Sequence, residues 1–174
     1  MPPSAAIPMA YHITFTCYGT WLHGDGRGSA DRAHAVPGTP YLASSAARLG
    51  AAQRRMTQPP FVLDAQRRSC VLEGIKAGCA RRGWGLHAAH VRECHVHVVV
   101  AAGTAPEGVM SALKSYASAA LNNHGLDSPD RRRWTRHGST RYLWRPEDVA
   151  GAITYVVLEQ GPPMAVYDGR SREA

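Results

Sequence analysis

Cys94-His95-Val96-His97-Val98-Val99-Val100 carries three alternating valines on one parity and two histidines on the other. A short run rich in β-branched residues, with Arg92-Glu93 before it and Gly103 after it, reads as a buried strand. Alternate side chains of a strand share a face. His95 and His97 therefore point one way, and Val96, Val98 and Val100 the other. One face of this strand is suited to a core; the other carries two adjacent imidazoles.

Working outward, residues 84–91 form a strand that reaches this one through a turn at Arg92-Glu93. Before it, Asp64 is an N-cap for a helix to about Arg82, with Val71, Leu72, Ile75 and Cys79 inward and Gly83 as the stop. Earlier still, residues 11–22 alternate apolar and polar as a first strand. Residues 24–60 are an insertion rich in Gly, Pro, Asp and Ser, with room for a short Ala-rich helix within 41–56. After the central strand, Pro106 opens a helix to about Asn122. Residues 124–140 read as a polar, arginine-rich loop, 141–144 as a short fourth strand, and 146–160 as a last helix ended by Gly161-Pro162-Pro163. The tail at 168–174 is expected to be disordered. The order β-α-β-β-α-β followed by a helix is the split βαβ, ferredoxin-like pattern. The expected class is α+β: one domain over 1–174, an antiparallel sheet with helices on one face, and a C-terminal helix beside the open face.

The composition agrees with a single soluble domain. The chain has 174 residues, 44% of them hydrophobic. No apolar run approaches a membrane span, and Met1-Pro2-Pro3-Ser4 does not begin a secretory signal. The four cysteines form no CxxC pair and are expected to be reduced, which points to the cytoplasm. The net charge of +7 comes from arginine, because Lys76 and Lys114 are the only lysines. Guanidinium forks suit phosphate oxygens, so a polyanionic partner is favoured over a merely basic surface.

Two imidazoles on one strand face can chelate a divalent ion and leave its other positions open, as a catalytic metal requires. The plainer reading is two histidines hydrogen-bonded on a solvated face. Two tyrosines fall on expected helices. Tyr116 lies in an apolar stripe with Val109, Leu113 and Ala120 and suits a core role. Tyr155 lies at the edge of the buried stripe Val149, Ile153, Val156 and Val157, with Glu159 on its own stripe. Glu159 is the first choice for a third metal ligand and Gln160 a weaker one. A boundary tyrosine beside a solvated glutamate is the competing reading. Arg131, Arg132, Arg133, Arg136, Arg141 and Arg145, interleaved with Trp134 and Trp144, suit nucleic-acid binding by charge and stacking. A solvated basic loop is the alternative there.

Together these residues resemble the His-hydrophobic-His (HUH) single-tyrosine transposases, which include the insertion-sequence and REP-associated tyrosine transposases. The resemblance runs from the first strand to Gln160. It is carried by Tyr11-His12-Ile13-Thr14-Phe15, His95-Val96-His97-Val98-Val99-Val100 and Tyr155-Val156-Val157-Leu158-Glu159. It implies that His95, His97 and Glu159 hold Mg²⁺ or Mn²⁺. It also implies that Tyr155 attacks single-stranded DNA near a hairpin to give a 5′-phosphotyrosine link. Glu159 stands where the family often has Gln or Asn. Gln160-Gly161 replaces a common Asn-Pro, and the 24–60 insertion is longer than in the simplest members. Family members act as monomers or as dimers that share active sites, so the resemblance also allows a homodimer. Two other functions fit the same residues. One is a domesticated hairpin-DNA or RNA-binding module without catalysis. The other is a metal-dependent hydrolase with water as the nucleophile.

Overall fold

The computed structural model describes residues 7–22, 24–25 and 43–172. The sequence readings for the first residues, for most of the glycine-rich part of the insertion, and for residues 173–174 lie outside them. The elements are β1 (Ala10–Cys17), α1 (Ala46–Arg54), α2 (Ala65–Arg82), β2 (Gly85–Val91), β3 (His95–Ala101), α3 (Pro106–Asn123), β4 (Trp134–Leu143), α4 (Pro146–Leu158) and β5 (Ala165–Asp168). They build an α+β fold around a five-stranded sheet of order β4-β1-β3-β2-β5, with every pairing antiparallel. No described helix is long and apolar enough to cross a membrane.

Local chemistry sets the boundaries. The Asp64 carboxylate accepts from the Arg67 N–H at the start of α2, and Gly83 ends that helix in the left-handed conformation at φ 66°. Val96, Val98 and Val100 are fully buried under α2 and α3 with Ile13, Phe15, Ile75 and Leu113. Each such valine contributes about 1.5 kcal/mol or more. α2 and α3 pack closely because Gly74 and Gly78 face Tyr116 and Ala120. A Cβ at Gly78 would sit 2.3 Å from Tyr116 Cδ2 and 2.5 Å from Cγ, which the ring cannot escape by a tip movement. Gly78→Ala is therefore expected to destabilise the protein by about 1–3 kcal/mol through overpacking. Gly151, inside α4 with open space around it, should respond oppositely: Gly151→Ala should add about 0.5–1 kcal/mol by helix propensity. Urea unfolding of the two variants checks both signs.

The second face of the sheet departs from the expectation of an open surface. α4 covers half of it, seating Ala152, Ile153 and Val156 on Ala10, Ala88, Val99 and Leu143. The alternation along β3 explains the division: on this face His95 and His97 are followed by Val99 and Ala101. The helix covers the apolar half and leaves the imidazole half.

Two further differences come from edge strands. The expected loop at 124–140 already becomes β4 at Trp134. Most of β4 is exposed, so it has little apolar alternation to read. The expected disordered tail instead follows a fifth strand, β5, which pairs with β2 and runs into a single 3-10 turn at Gly169–Arg172. Asp168 holds that turn by accepting from the Arg170 backbone and guanidinium. With only four residues, β5 is too short to show a period.

Candidate functional site

The sheet register assembles the site. Thr14 lies opposite His97 and Thr16 opposite His95 on β1, while His90 of β2 lies opposite His97 from the other side. Directly opposed residues share a face, so these side chains form one polar patch beside α4. His12, one step along the same face of β1, brings a third imidazole: its Nε2 is 3.3 Å from His97 Nδ1. Thr14 Oγ1 is 2.8 Å from the same nitrogen, fixing the ring and leaving His97 Nε2 as its other ligand position. His95 stands 4.9 Å from His97, ring to ring, with the two planes nearly perpendicular. Its Nδ1 is 3.4 Å from Cys94 Sγ.

Charge is disfavoured on this patch. Burial, then the neighbours His95, His12 and His90, push His97 down to about 3, although the nearby Gln160 amide, able to accept from a protonated ring, opposes the shift. Burial and the Arg141 guanidinium lower His12. Burial also lowers His90. His90 is fully buried; its Nδ1 donates to the Val156 carbonyl at 3.0 Å and its Nε2 accepts from the Met164 N–H at 3.2 Å. It joins β2 to the end of α4 and to the segment entering β5, a structural task.

These shifts predict acid sensitivity. An unfolded histidine titrates at its ordinary value of about 6.5, whereas the folded groups titrate lower. Between the two values the unfolded chain binds more protons, so the stability present above about pH 6.5 is lost as pH falls toward the folded value. The metal-free protein should show a falling urea midpoint from about pH 6.5 to about 5, above the ordinary carboxylate range. His97→Gln should make that slope shallower; an unchanged slope would contradict the burial argument.

Tyr155 reaches the patch from α4. Its ring is 42% exposed and stands edge-on to His12 at 5.7 Å and to His97 at 6.0 Å. No hydrogen bond holds its hydroxyl among the described residues. Tyr116, by contrast, lies between α2 and α3, beneath the opposite face of the sheet, where its hydroxyl accepts from Arg82 Nε at 3.1 Å.

Glu159 and Gln160 lie just past the end of α4. α4 ends at Leu158, and Glu159 is its C-cap at φ −104°, ψ 10°. The helical stripe is broken there, so Glu159 is exposed, with no side-chain hydrogen bond or ion pair among the described residues. Gln160 is half-buried, and its Nε2 donates to the Tyr155 carbonyl at 3.4 Å.

The donor chemistry suits a divalent ion at the histidine pair, because burial keeps His97 neutral and Thr14 orients it. Among the described residues, however, no group of three or more His, Cys, Asp or Glu side chains converges to hold a metal.

The expected basic set also divides. Arg133 is buried, and its Nη2 donates to Asn122 Oδ1 and the Ser128 carbonyl. Arg131 donates to the Pro59 and Pro60 carbonyls and lies over Phe61. Trp134 packs edge-on against Phe15, and its Nε1 donates to Ser118. These three hold the fold, and Arg133 in particular is not surface charge. Arg145 pairs with Asp148 at the start of α4. Arg132 is exposed beside Tyr18. Arg136 lines a groove of about 500 Å³ between α3 and β4, with Lys114, His137 and Tyr142. Exposed Trp144 stacks on Tyr142. Arg141 is exposed and directly opposite His12, which places it at the edge of the histidine patch.

His12 and Thr14 are the members of this patch that the sequence pattern did not single out as site residues; Arg141, expected as a nucleic-acid contact, joins them there. Strand parity would have put all three on the face of His97 once the register was known.

No family model matches the chain, and no curated protein matches it. Among solved structures, the chain is similar to a REP-associated tyrosine transposase bound to a REP hairpin. The identity is 10%, the match covers 91% of this chain and 70% of that one, and the TM-score is 0.48.

Proposed function

We propose that the histidine face cleaves and rejoins single-stranded DNA through a covalent link between Tyr155 and a 5′ phosphate. The observation that carries this reading is the meeting of Tyr155 with His12 and His97 at the uncovered end of the sheet. An exposed phenol beside neutral imidazoles is a nucleophile beside ligand nitrogens.

In this reading His95 and His97 hold Mg²⁺ or Mn²⁺, imidazole favouring manganese. The two third-ligand candidates are Glu159, the exposed C-cap of α4, and Gln160, the half-buried residue after it. An ion bound there would supply Lewis-acid activation of the phosphate. Tyr155 Oη attacks phosphorus and gives up its proton. The P–O3′ bond breaks, and the released O3′ takes up a proton. One phosphodiester is exchanged for another, so the reverse attack by a 3′-hydroxyl rejoins the strand without a nucleotide cofactor. Thr14 holds the His97 ring through these steps. Arg141, at the rim, is placed for the flanking phosphate. Arg132 and Arg136, with Trp144, extend the path for the strand or an adjoining hairpin. The four free cysteines suit a cytoplasmic setting.

The test incubates the protein with Mn²⁺ and labelled single-stranded hairpin oligonucleotides drawn from DNA flanking its gene, followed by a denaturing gel. A band shifted to the mass of protein plus strand, absent with chelator, is the expected result. Binding without any such band would favour a non-catalytic module. Cleavage without it would favour a hydrolase.

A further inference from the structure

We propose that Trp21 is a nucleobase-stacking subsite, a specificity element for the base beside the phosphate that faces His95. This rests on the reading of the histidine face as a single-stranded DNA site.

Three observations converge on Trp21. Its indole stacks on His95, with centroids 5.5 Å apart and planes 24° apart. It is 39% exposed although it is the bulkiest residue type, so it is not core. It is also the only non-glycine among the described residues with a positive φ, at 50°. A bulky side chain in the left-handed region is strained, and such strain persists where the surrounding structure over-determines it. That surrounding structure is visible. Gly19 presses against Met56 and Pro60, and Gly24 lies against Ser45 and Leu49 so closely that neither glycine could carry a Cβ. The Gly24 carbonyl accepts from the Ser45 N–H at 3.0 Å, closing the base of the insertion. The turn between β1 and the insertion is thus pinned on both sides of Trp21. Glycine would occupy φ 50° without strain, yet the position carries an indole that rests on a site histidine and remains open to solvent.

An exposed aromatic beside a phosphate site is the recurrent platform for an unpaired base. Every base offers a π-face, so the contact would add affinity for bases over bare backbone and favour purines by their larger area. The anchor on His95 limits the subsite to the nucleotide next to the reacting phosphate. This separates Trp21 from Trp144, which lies on β4 beside Tyr142.

The experiment measures binding in chelator, so that no cleavage intervenes. The probes are a dT oligomer of roughly 12 nucleotides and an abasic oligomer of equal length and charge. Wild type should prefer the dT oligomer. Trp21→Ala should weaken dT binding about tenfold and leave abasic binding unchanged, and Trp21→Phe should restore most of the preference. Trp21→Gly should lose the same preference with an unchanged or raised melting temperature, a combination that a purely structural indole would not give. Equal weakening of both probes, or of neither, overturns the subsite. Failure of wild type to bind either oligomer overturns both the subsite and the DNA reading. Trp21-dependent base preference in a protein that never forms the covalent band leaves the subsite standing and removes only the catalytic reading.

Discussion

Tyr155→Phe is expected to abolish every covalent protein–DNA product while leaving the fold and strand binding intact. The substitution removes one oxygen. Tyr155 is 42% exposed, and no hydrogen bond holds its hydroxyl among the described residues, so stability should change by less than about 0.5 kcal/mol. The ring contacts to His12 and His97 stay in place, because phenylalanine keeps the aromatic edge. Strand affinity should therefore remain within about twofold of wild type, while the cleavage rate falls by roughly four powers of ten or more. Tyr116→Phe is the control. Tyr116 lies between α2 and α3 with its hydroxyl on Arg82, so its loss should leave the rate unchanged. Persistent cleavage by Tyr155→Phe, with both new ends free, would make water the nucleophile.

His97→Ala is the second large effect. It should reduce divalent-ion-dependent cleavage by roughly a thousandfold, the scale of several kcal/mol of lost charge stabilisation in the transition state. Two contacts converge on the His97 ring, from Thr14 Oγ1 and His12 Nε2. A ring held neutral by burial and oriented by a hydroxyl is arranged as a ligand, not as a solvated charge. Thr14→Val, which removes only the orienting oxygen, should weaken Mn²⁺ binding by about 10–100-fold. Calorimetric Mn²⁺ titration reads the ion affinity, and gel-based cleavage rates read the activity. Mn²⁺ affinity unchanged by both variants would exclude His97 as a ligand. Gln160→Ala and Glu159→Ala, measured alongside, separate the two candidates for the third position.

The fold was legible where hydrophobic period and end signals coincided. Val96, Val98 and Val100 identified the core face of β3, and Asp64 and Gly83 marked α2 to the residue. β4 and β5 were hidden because an exposed edge strand and a four-residue strand carry little apolar alternation. At the site, period-2 parity placed His95 and His97 together, but partners from other strands depend on register, which sequence alone does not supply. That is why His12 and Thr14, and the position of Arg141 beside them, emerged only from the pairing of β1 with β3 and β4. Helical periodicity carried the stripe of Tyr155 to Glu159, but α4 stops at Leu158 and Glu159 is its C-cap, so helix geometry no longer fixes where its side chain lies. The arginine-rich stretch shows the limit of composition. Arg131 and Arg133 are as basic as Arg136 and Arg141, but backbone carbonyls and Asn122 take up their donors.

The central claim is that Tyr155 takes the 5′ phosphate of a broken strand. The most direct measurement reacts the wild-type protein with Mn²⁺ and a 3′-labelled hairpin oligonucleotide, digests the product with nuclease and protease, and sequences the modified peptide by tandem mass spectrometry. The predicted result is a nucleotide phosphate on Tyr155, with the other fragment ending in a free 3′-hydroxyl. A phosphate on any other residue, including Tyr116 or Tyr167, or cleavage that leaves no modified peptide, would contradict it.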